Sequence, residues 1–345
     1  METLIESCFH RTTRHTTHYL AAGPKDGPLL VFVHGWPELS LSWRHQLPVF
    51  AGLGFRVLAP DLRGYGLSSV YAEQSAYAQA EVVADMLALL TSQEREQAVW
   101  IGHDWGCATV WNLARLHPRR CTAVANLCVP YFALEHGLAG LLPLVNRTVY
   151  PVGDYPYGQW DYLKFYEENF ARATAVFDAD PYLSMKLLLR KGDPAAAGKP
   201  AFTSAVRRNG GWFGPLNAAP DLPRDDDVVS EDDLQVYAQA LRRNGFFGPD
   251  AYYMNHTANA ALVAGAPERL SLPVLFLHAR YDYVCETLQS QLAEPMRARC
   301  SNLSERIIDT GHWMAQEQPR AVNAALAQWL AACVKTHWPR PATSA

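Results

Sequence analysis

Ala98-Val99-Trp100-Ile101-Gly102-His103-Asp104-Trp105-Gly106 is the stretch that decides the fold. Its first five residues form the apolar run of a strand buried on both faces. From Trp105 to Leu116 the spacing is helical, ending at His117-Pro118, where proline's missing N–H stops a helix. Between strand and helix stand Gly102, Asp104 and Gly106. Gly-x-nucleophile-x-Gly is the frame of a sharp strand-to-helix elbow, in which flanking glycines let the chain pass close and a reactive side chain is held at the tip. The tip residue is an aspartate, and a carboxylate there can attack carbon directly to form an ester with the enzyme. An aspartate that merely caps a helix N-terminus is the plain alternative; the glycine frame and the strand before it weigh against that.

Outward from the elbow, Leu29–Val33, Arg56–Pro60 and Cys121–Cys128 repeat the buried-strand signal, and Ala78 to Leu90 carries helical spacing through Val82, Val83, Met86, Leu87 and Leu90. Strands alternating with helices imply a mostly parallel sheet flanked by helices. The pattern returns late, with strands at Pro273–Leu277 and Glu305–Ile308 and a closing helix over Arg320–Trp329. The middle is rich in Tyr, Trp and Phe and lacks strand runs. It contains a Gly/Pro/Ala stretch from Lys191 to Lys199 and a charged loop from Asp221 to Asp227, with helical spacing only in short pieces at Tyr162–Phe170 and Leu234–Arg243. The reading is an α/β core in two parts, residues 1–130 and 256–345, interrupted by a mainly helical cap insertion over 131–255.

Composition narrows the function. A chain of 345 residues buries roughly 75% of its unfolded surface and needs no metal or disulfide staple. With 49% hydrophobic and 19% charged residues it is neither a disordered chain nor a coiled coil. Thirty basic residues against 34 acidic ones, with no dense Lys/Arg block, disfavour a nucleic-acid partner. The seven cysteines are scattered without metal-type spacing and read as buried small hydrophobes in a reducing compartment. No apolar leader core and no run of about 18 apolar residues are present, so a cytoplasmic location without a membrane span is expected. No phosphate-binding glycine loop and no clustered ligand spacing suggest a cofactor or a metal. Monomer and homodimer are both compatible with the sequence.

His34-Gly35-Trp36-Pro37-Glu38 follows the first strong strand. A loop there supplies a backbone N–H to an oxyanion hole, together with the N–H of the residue after the nucleophile; here the donors are Trp36 and Trp105. The plain readings are packing tryptophans and a Trp-Pro turn. Asp61–Ser68 reads as a loop that orders the core. A base is still required. Among twelve histidines, His312 stands out in Asp309-Thr310-Gly311-His312-Trp313, after a late strand, while His34 and His103 read as structural and His10, His15 and His18 carry no motif. The acid partner falls between nucleophile and histidine in chain order. Asp282, just past Pro273–Leu277, occupies that place, and the rival loop Asn126–Tyr131 offers no carboxylate. The triad is then Asp104, His312 and Asp282, with His312 activating water and Asp282 fixing its tautomer.

These motifs together, with His34–Glu38, Asp61–Ser68 and Gly311–Trp313, resemble the soluble epoxide hydrolases of the α/β-hydrolase fold, over nearly the whole chain from about Phe9 to about Trp329. Elbow and histidine motifs are shared with haloalkane and fluoroacetate dehalogenases, so the resemblance fixes mechanism better than substrate. It implies two cap tyrosines that protonate the epoxide oxygen: Tyr162, in Trp160–Glu168, with Tyr166 a weaker alternative, and Tyr253, in Gly245–Asn255. The expected partners are a small apolar epoxide and water, with no cofactor, and the product is a vicinal diol. The rivals are a dehalogenase, in which Trp36 and Trp105 face a halide, and a non-catalytic ligand-binding protein on the same scaffold. Two departures stand out: Cys107, where the resembled family has a smaller residue, and a long cap loop around Gly210–Gly214.

Overall fold

The computed structural model describes residues 4–132 and 134–339. Eight strands form one sheet: β1 (Glu6–Arg11), β2 (Thr16–Ala22), β3 (Leu29–Val33), β4 (Arg56–Pro60), β5 (Ala98–His103), β6 (Cys121–Leu127), β7 (Val274–Ala279) and β8 (Leu303–Ile308). Their order is β1-β2-β4-β3-β5-β6-β7-β8. β1 and β2 form an antiparallel hairpin, β2 is antiparallel to β4, and every other pair is parallel. β3, β4, β5 and β7 are buried along their whole length, as a sheet covered on both faces requires.

The hairpin was not legible from apolar runs. β1 alternates half-buried and exposed residues at the sheet edge, and β2 buries polar Thr17 and His18. Partners elsewhere make that burial tolerable: His18 Nδ1 lies 2.6 Å from Asp61 Oδ2. Asp61 also accepts the N–H groups of Ser40 (2.8 Å) and Leu67 (3.0 Å), so it pins three segments under the sheet. Helices Gln79–Ser92, Trp105–Leu116 and Pro319–Cys333 flank the sheet.

No strand occurs among the described residues between β6 and β7. Helices fill that interval, including Asp161–Asp178, Pro181–Leu188, Glu231–Asn244 and Phe247–Ala251. Helix Asp161–Asp178 runs well past the expected Phe170 across a kink, where Asn169 leaves the helical region at φ −141°, ψ 37°, so one helical period does not extend over the whole span. Pro181–Leu188 was not anticipated, although its start follows helix rules. Asp180 accepts the N–H groups of Tyr182 and Leu183 at 3.0 and 3.1 Å, and Pro181 occupies the first turn. No helix among the described residues is long and apolar enough to cross a membrane.

Candidate active site

The loops after β3, β5, β7 and β8 all leave the sheet at the carboxyl ends of parallel strands, the end at which such sheets gather ligands. The elbow follows β5. Asp104 adopts φ 50°, ψ −122°, a conformation that costs a non-glycine residue on the order of 1–3 kcal/mol and is held by its surroundings. A Cβ on Gly106 would collide with the Val33 carbonyl, and one on Gly35 with the Asp104 side chain. Only glycine lets the two loops approach this closely. Cys107 is fully buried, its thiol 3.1 Å from the Leu127 carbonyl.

The Trp36 N–H donates to Asp104 Oδ1 at 2.7 Å. Trp105 opens the elbow helix, so its N–H is one of the four with no partner inside the helix. On the other side, His312 Nε2 stands 3.6 Å from Asp104 Oδ2. Its Nδ1 meets Asp282 Oδ2 at 2.6 Å, while Asp282 Oδ1 accepts the N–H groups of Val284 (3.0 Å) and Cys285 (2.9 Å). Burial alone would raise the Asp282 pKa; the His312 charge and hydrogen bond, with those two N–H donors, hold it below the usual carboxylate range. For His312 burial favours loss of the proton, yet Asp282 and Asp104 together keep its pKa well above the ordinary value.

Tyr162 and Tyr253 line the same cavity as Asp104 and His312, a space of about 580 Å³ also walled by Trp36, Trp212 and Phe213. The two phenol rings lie 5.7 Å apart, edge to face, and burial pushes both hydroxyl pKa values well up, so they are protonated at neutral pH. Trp212 and Phe213 belong to the long cap loop noted in the sequence, which thus forms part of the cavity wall. Tyr166, the alternative to Tyr162, does not line the cavity: its hydroxyl donates to Asp250 Oδ1 at 2.9 Å, and its ring stacks on Tyr253 at 4.8 Å and 6°.

Two other histidines are core groups with satisfied rings. His34 Nε2 accepts the Leu62 N–H at 3.0 Å and its Nδ1 donates to the Gly35 carbonyl at 2.9 Å, which makes it neutral; burial lowers its pKa. His103 is different. Its Nδ1 meets Glu38 Oε2 at 2.7 Å and its Nε2 donates to the His312 carbonyl at 2.8 Å. Burial opposes both charges, but the mutual attraction and hydrogen bond bring Glu38 down to about 2 and His103 up to about 10. Sequence reading quoted Glu38 within a motif without giving it a task, because nothing local signals a partner 65 residues away. Removing one member of a buried ion pair leaves the other uncompensated, so Glu38→Gln is expected to destabilise the fold by roughly 3–5 kcal/mol. The raised His103 pKa contributes stability fully below about 6.5 and loses it as pH rises through about 10. Urea titrations of both proteins should show the wild-type advantage shrinking over that interval.

Two clusters have the spacing of metal ligands, His103–Cys128–His312 and Asp282–Cys285–His312. In the first, both His103 nitrogens are engaged; in the second, Asp282 and His312 Nδ1 already bind each other. The donor sets suit proton transfer better than ligation.

Residues 28–319 match the family described as alpha/beta hydrolase fold. Epoxide hydrolase A of Mycobacterium tuberculosis is 33% identical over 311 residues, 90% of this chain and 92% of that protein. The chain belongs to the epoxide hydrolase family of this fold. Bifunctional epoxide hydrolase 2 of Sus scrofa is 34% identical over 91% of this chain, which spans 53% of that relative's length. Among solved structures, Epoxide Hydrolase A from Mycobacterium thermoresistibile superposes with a TM-score of 0.78 at 31% identity, covering 95% of this chain and 99% of that one.

Proposed function

We propose that this family member is an epoxide hydrolase acting on a small, largely apolar epoxide, with Asp104 as nucleophile, His312 as base, Asp282 as its partner and Tyr162 with Tyr253 as acids. The observation that carries the reading is two protonated phenols on the same cavity as the elbow carboxylate. Opening an epoxide releases an alkoxide, a far stronger base than a halide, and a phenol can supply its proton. The Trp36 indole N–H, a halide donor in the dehalogenase alternative, is occupied by Asp250 at 2.8 Å, which supports the epoxide reading. Residues 131–255 act as the cap that closes the cavity over the elbow. Seven unpaired cysteines accord with a cytoplasmic setting.

The chemistry balances in two steps. Asp104 forms a bond to one ring carbon as that carbon's bond to oxygen breaks, and a tyrosine gives its proton to the alkoxide, leaving a hydroxyalkyl ester. His312 then takes a proton from water, whose oxygen attacks the ester carbonyl. The Trp36 and Trp105 N–H groups stabilise the tetrahedral oxyanion, by about 3 kcal/mol per donor in comparable sites. Collapse returns the His312 proton to the departing diol oxygen, and the proton left on Asp104 restores the tyrosine.

The test is a panel of aryl and alkyl epoxides with matched organohalides, assayed for diol and for halide. Diol is expected; halide release without diol would move the chain to dehalogenase chemistry. Either tyrosine replaced by phenylalanine should cost well under about 10²-fold in kcat, and both together about 10⁴-fold, since one phenol backs up the other. A double variant within threefold of wild type, by the same diol assay, would remove both from the mechanism.

A further inference from the structure

Asp250 is completely buried, in the segment that carries Tyr253, and sequence reading gave it no task. Three donors from two separate parts of the chain converge on its carboxyl group. The Trp36 Nε1–H donates to Oδ1 at 2.8 Å, the Tyr166 hydroxyl to the same oxygen at 2.9 Å, and the Thr174 hydroxyl to Oδ2 at 3.0 Å. None of these donors is a cation, so the charge is uncompensated, and burial pushes its pKa up to about 7 against all three hydrogen bonds. An aliphatic side chain would be the cheaper occupant of such a site.

What the carboxyl group gains is geometry. Trp36 is held at both ends: its backbone N–H on Asp104 at 2.7 Å and its indole on Asp250. Tyr166, held by the same oxygen, is the ring on which Tyr253 stacks at 4.8 Å. In an unbroken helix residues eight apart lie about 12 Å apart along the axis. The break at Asn169, between Tyr166 and Thr174, accompanies the convergence of both halves of the helix on one carboxyl group.

The geometry points to Asp250 as a positioning residue that locks the oxyanion loop of the core to the cap helix and to the Tyr166–Tyr253 stack. It touches no reacting atom; it sets where the Trp36 N–H and the Tyr253 hydroxyl stand when the cavity is filled. The titratable groups that face it are Tyr166 and Asp178 from the kinked helix and Tyr65 from the loop after β4. This inference rests on the proposed hydrolysis and is tested on the same full-length chain with an epoxide that wild type converts to diol.

Asp250→Leu keeps the branching at Cγ, with a larger volume, and removes the acceptors; Asp250→Asn still accepts at Oδ1 and can donate to the Thr174 oxygen. Misplacing a catalytic group by about 1 Å costs up to 10²-fold, so the leucine variant is expected to lose at least about tenfold in kcat with KM changed less than about threefold. The asparagine variant should recover most of kcat, since it keeps the acceptor shared by Trp36 and Tyr166. Wild-type kcat in the leucine variant overturns the inference, as does a loss that merely follows the folded fraction in a thermal melt. A fully folded asparagine variant as slow as leucine also overturns it. If the leucine chain does not fold, Thr174→Val takes its place: a smaller drop in kcat at unchanged KM supports the role, and no change removes it. Absence of diol from wild type itself would instead overturn the proposed reaction.

Discussion

Asp104→Ala loses diol formation by about 10⁴-fold or more, with the fold intact. Alanine removes the only atom set that can form the ester, and the other groups cannot substitute. Asp282 is turned away, with both oxygens occupied by His312 and two backbone N–H groups. His312 Nε2 faces Asp104 at 3.6 Å, beyond hydrogen-bonding distance but close enough to aim a water at the Asp104 carboxyl carbon once it is an ester. Stability should fall only modestly, because alanine keeps a Cβ at φ 50° and leaves the Trp36 N–H without its acceptor. The direct check is isotopic. In a single turnover in labelled water, the oxygen atom should enter the Asp104 carboxylate before it appears in diol. Label found in diol alone would mean that water attacks the epoxide directly, with Asp104 only a base.

His312→Gln separates the two half-reactions. Attack by Asp104 needs an ionised carboxylate and a proton donor, and neither is His312; hydrolysis of the ester needs a base. Glutamine fills similar space but cannot take a proton, so turnover should fall on the order of 10³-fold while one equivalent of epoxide is still consumed in a burst. Intact-protein mass spectrometry should find the chain heavier by one substrate, with the added mass on the peptide containing Asp104. A variant that is slow in both phases, with no adduct, would mean that His312 is needed for alkylation as well.

The wild-type pH dependence has a definite sign. In the resting site two carboxylates hold the His312 pKa well above its ordinary value. Once Asp104 is an ester, one of those charges is gone, the imidazolium is less favoured, and a neutral base becomes available when water must be activated. Ester hydrolysis should therefore begin at lower pH than the titration of His312 in the free protein, measurable by imidazole NMR beside single-turnover kinetics.

Several features were legible in the chain because they are local. The elbow is a demand of sterics on five consecutive residues: a glycine at 106 to clear the Val33 carbonyl, and a tip residue held out by the turn. β3, β4 and β5 announce themselves because burial on both faces leaves near-continuous apolar runs, with polar residues only at the ends, Arg56 in β4 and His103 in β5. The placing of Asp282 and His312 after two late strands follows from the way parallel sheets gather loops at one end. The β1–β2 hairpin escaped because an edge strand needs apolar residues only on alternate positions, and the His18 ring buried in β2 is satisfied by Asp61, 43 residues away.

The sequence by itself determined the six parallel strands, the elbow and the order of Asp104, Asp282 and His312, since each rests on local spacing or on chain order. Only the tertiary structure decided that Glu38 and His103 form an ion pair against the His312 carbonyl, that the Tyr166 ring stacks on Tyr253, and that Asp250 joins Trp36 to Tyr166 and Thr174. A buried polar group must find its partners wherever the fold brings them, and the partners of Asp250 lie 214, 84 and 76 residues away. Separations of that size leave no period, motif or cap in the chain; they exist only once the cap packs on the core.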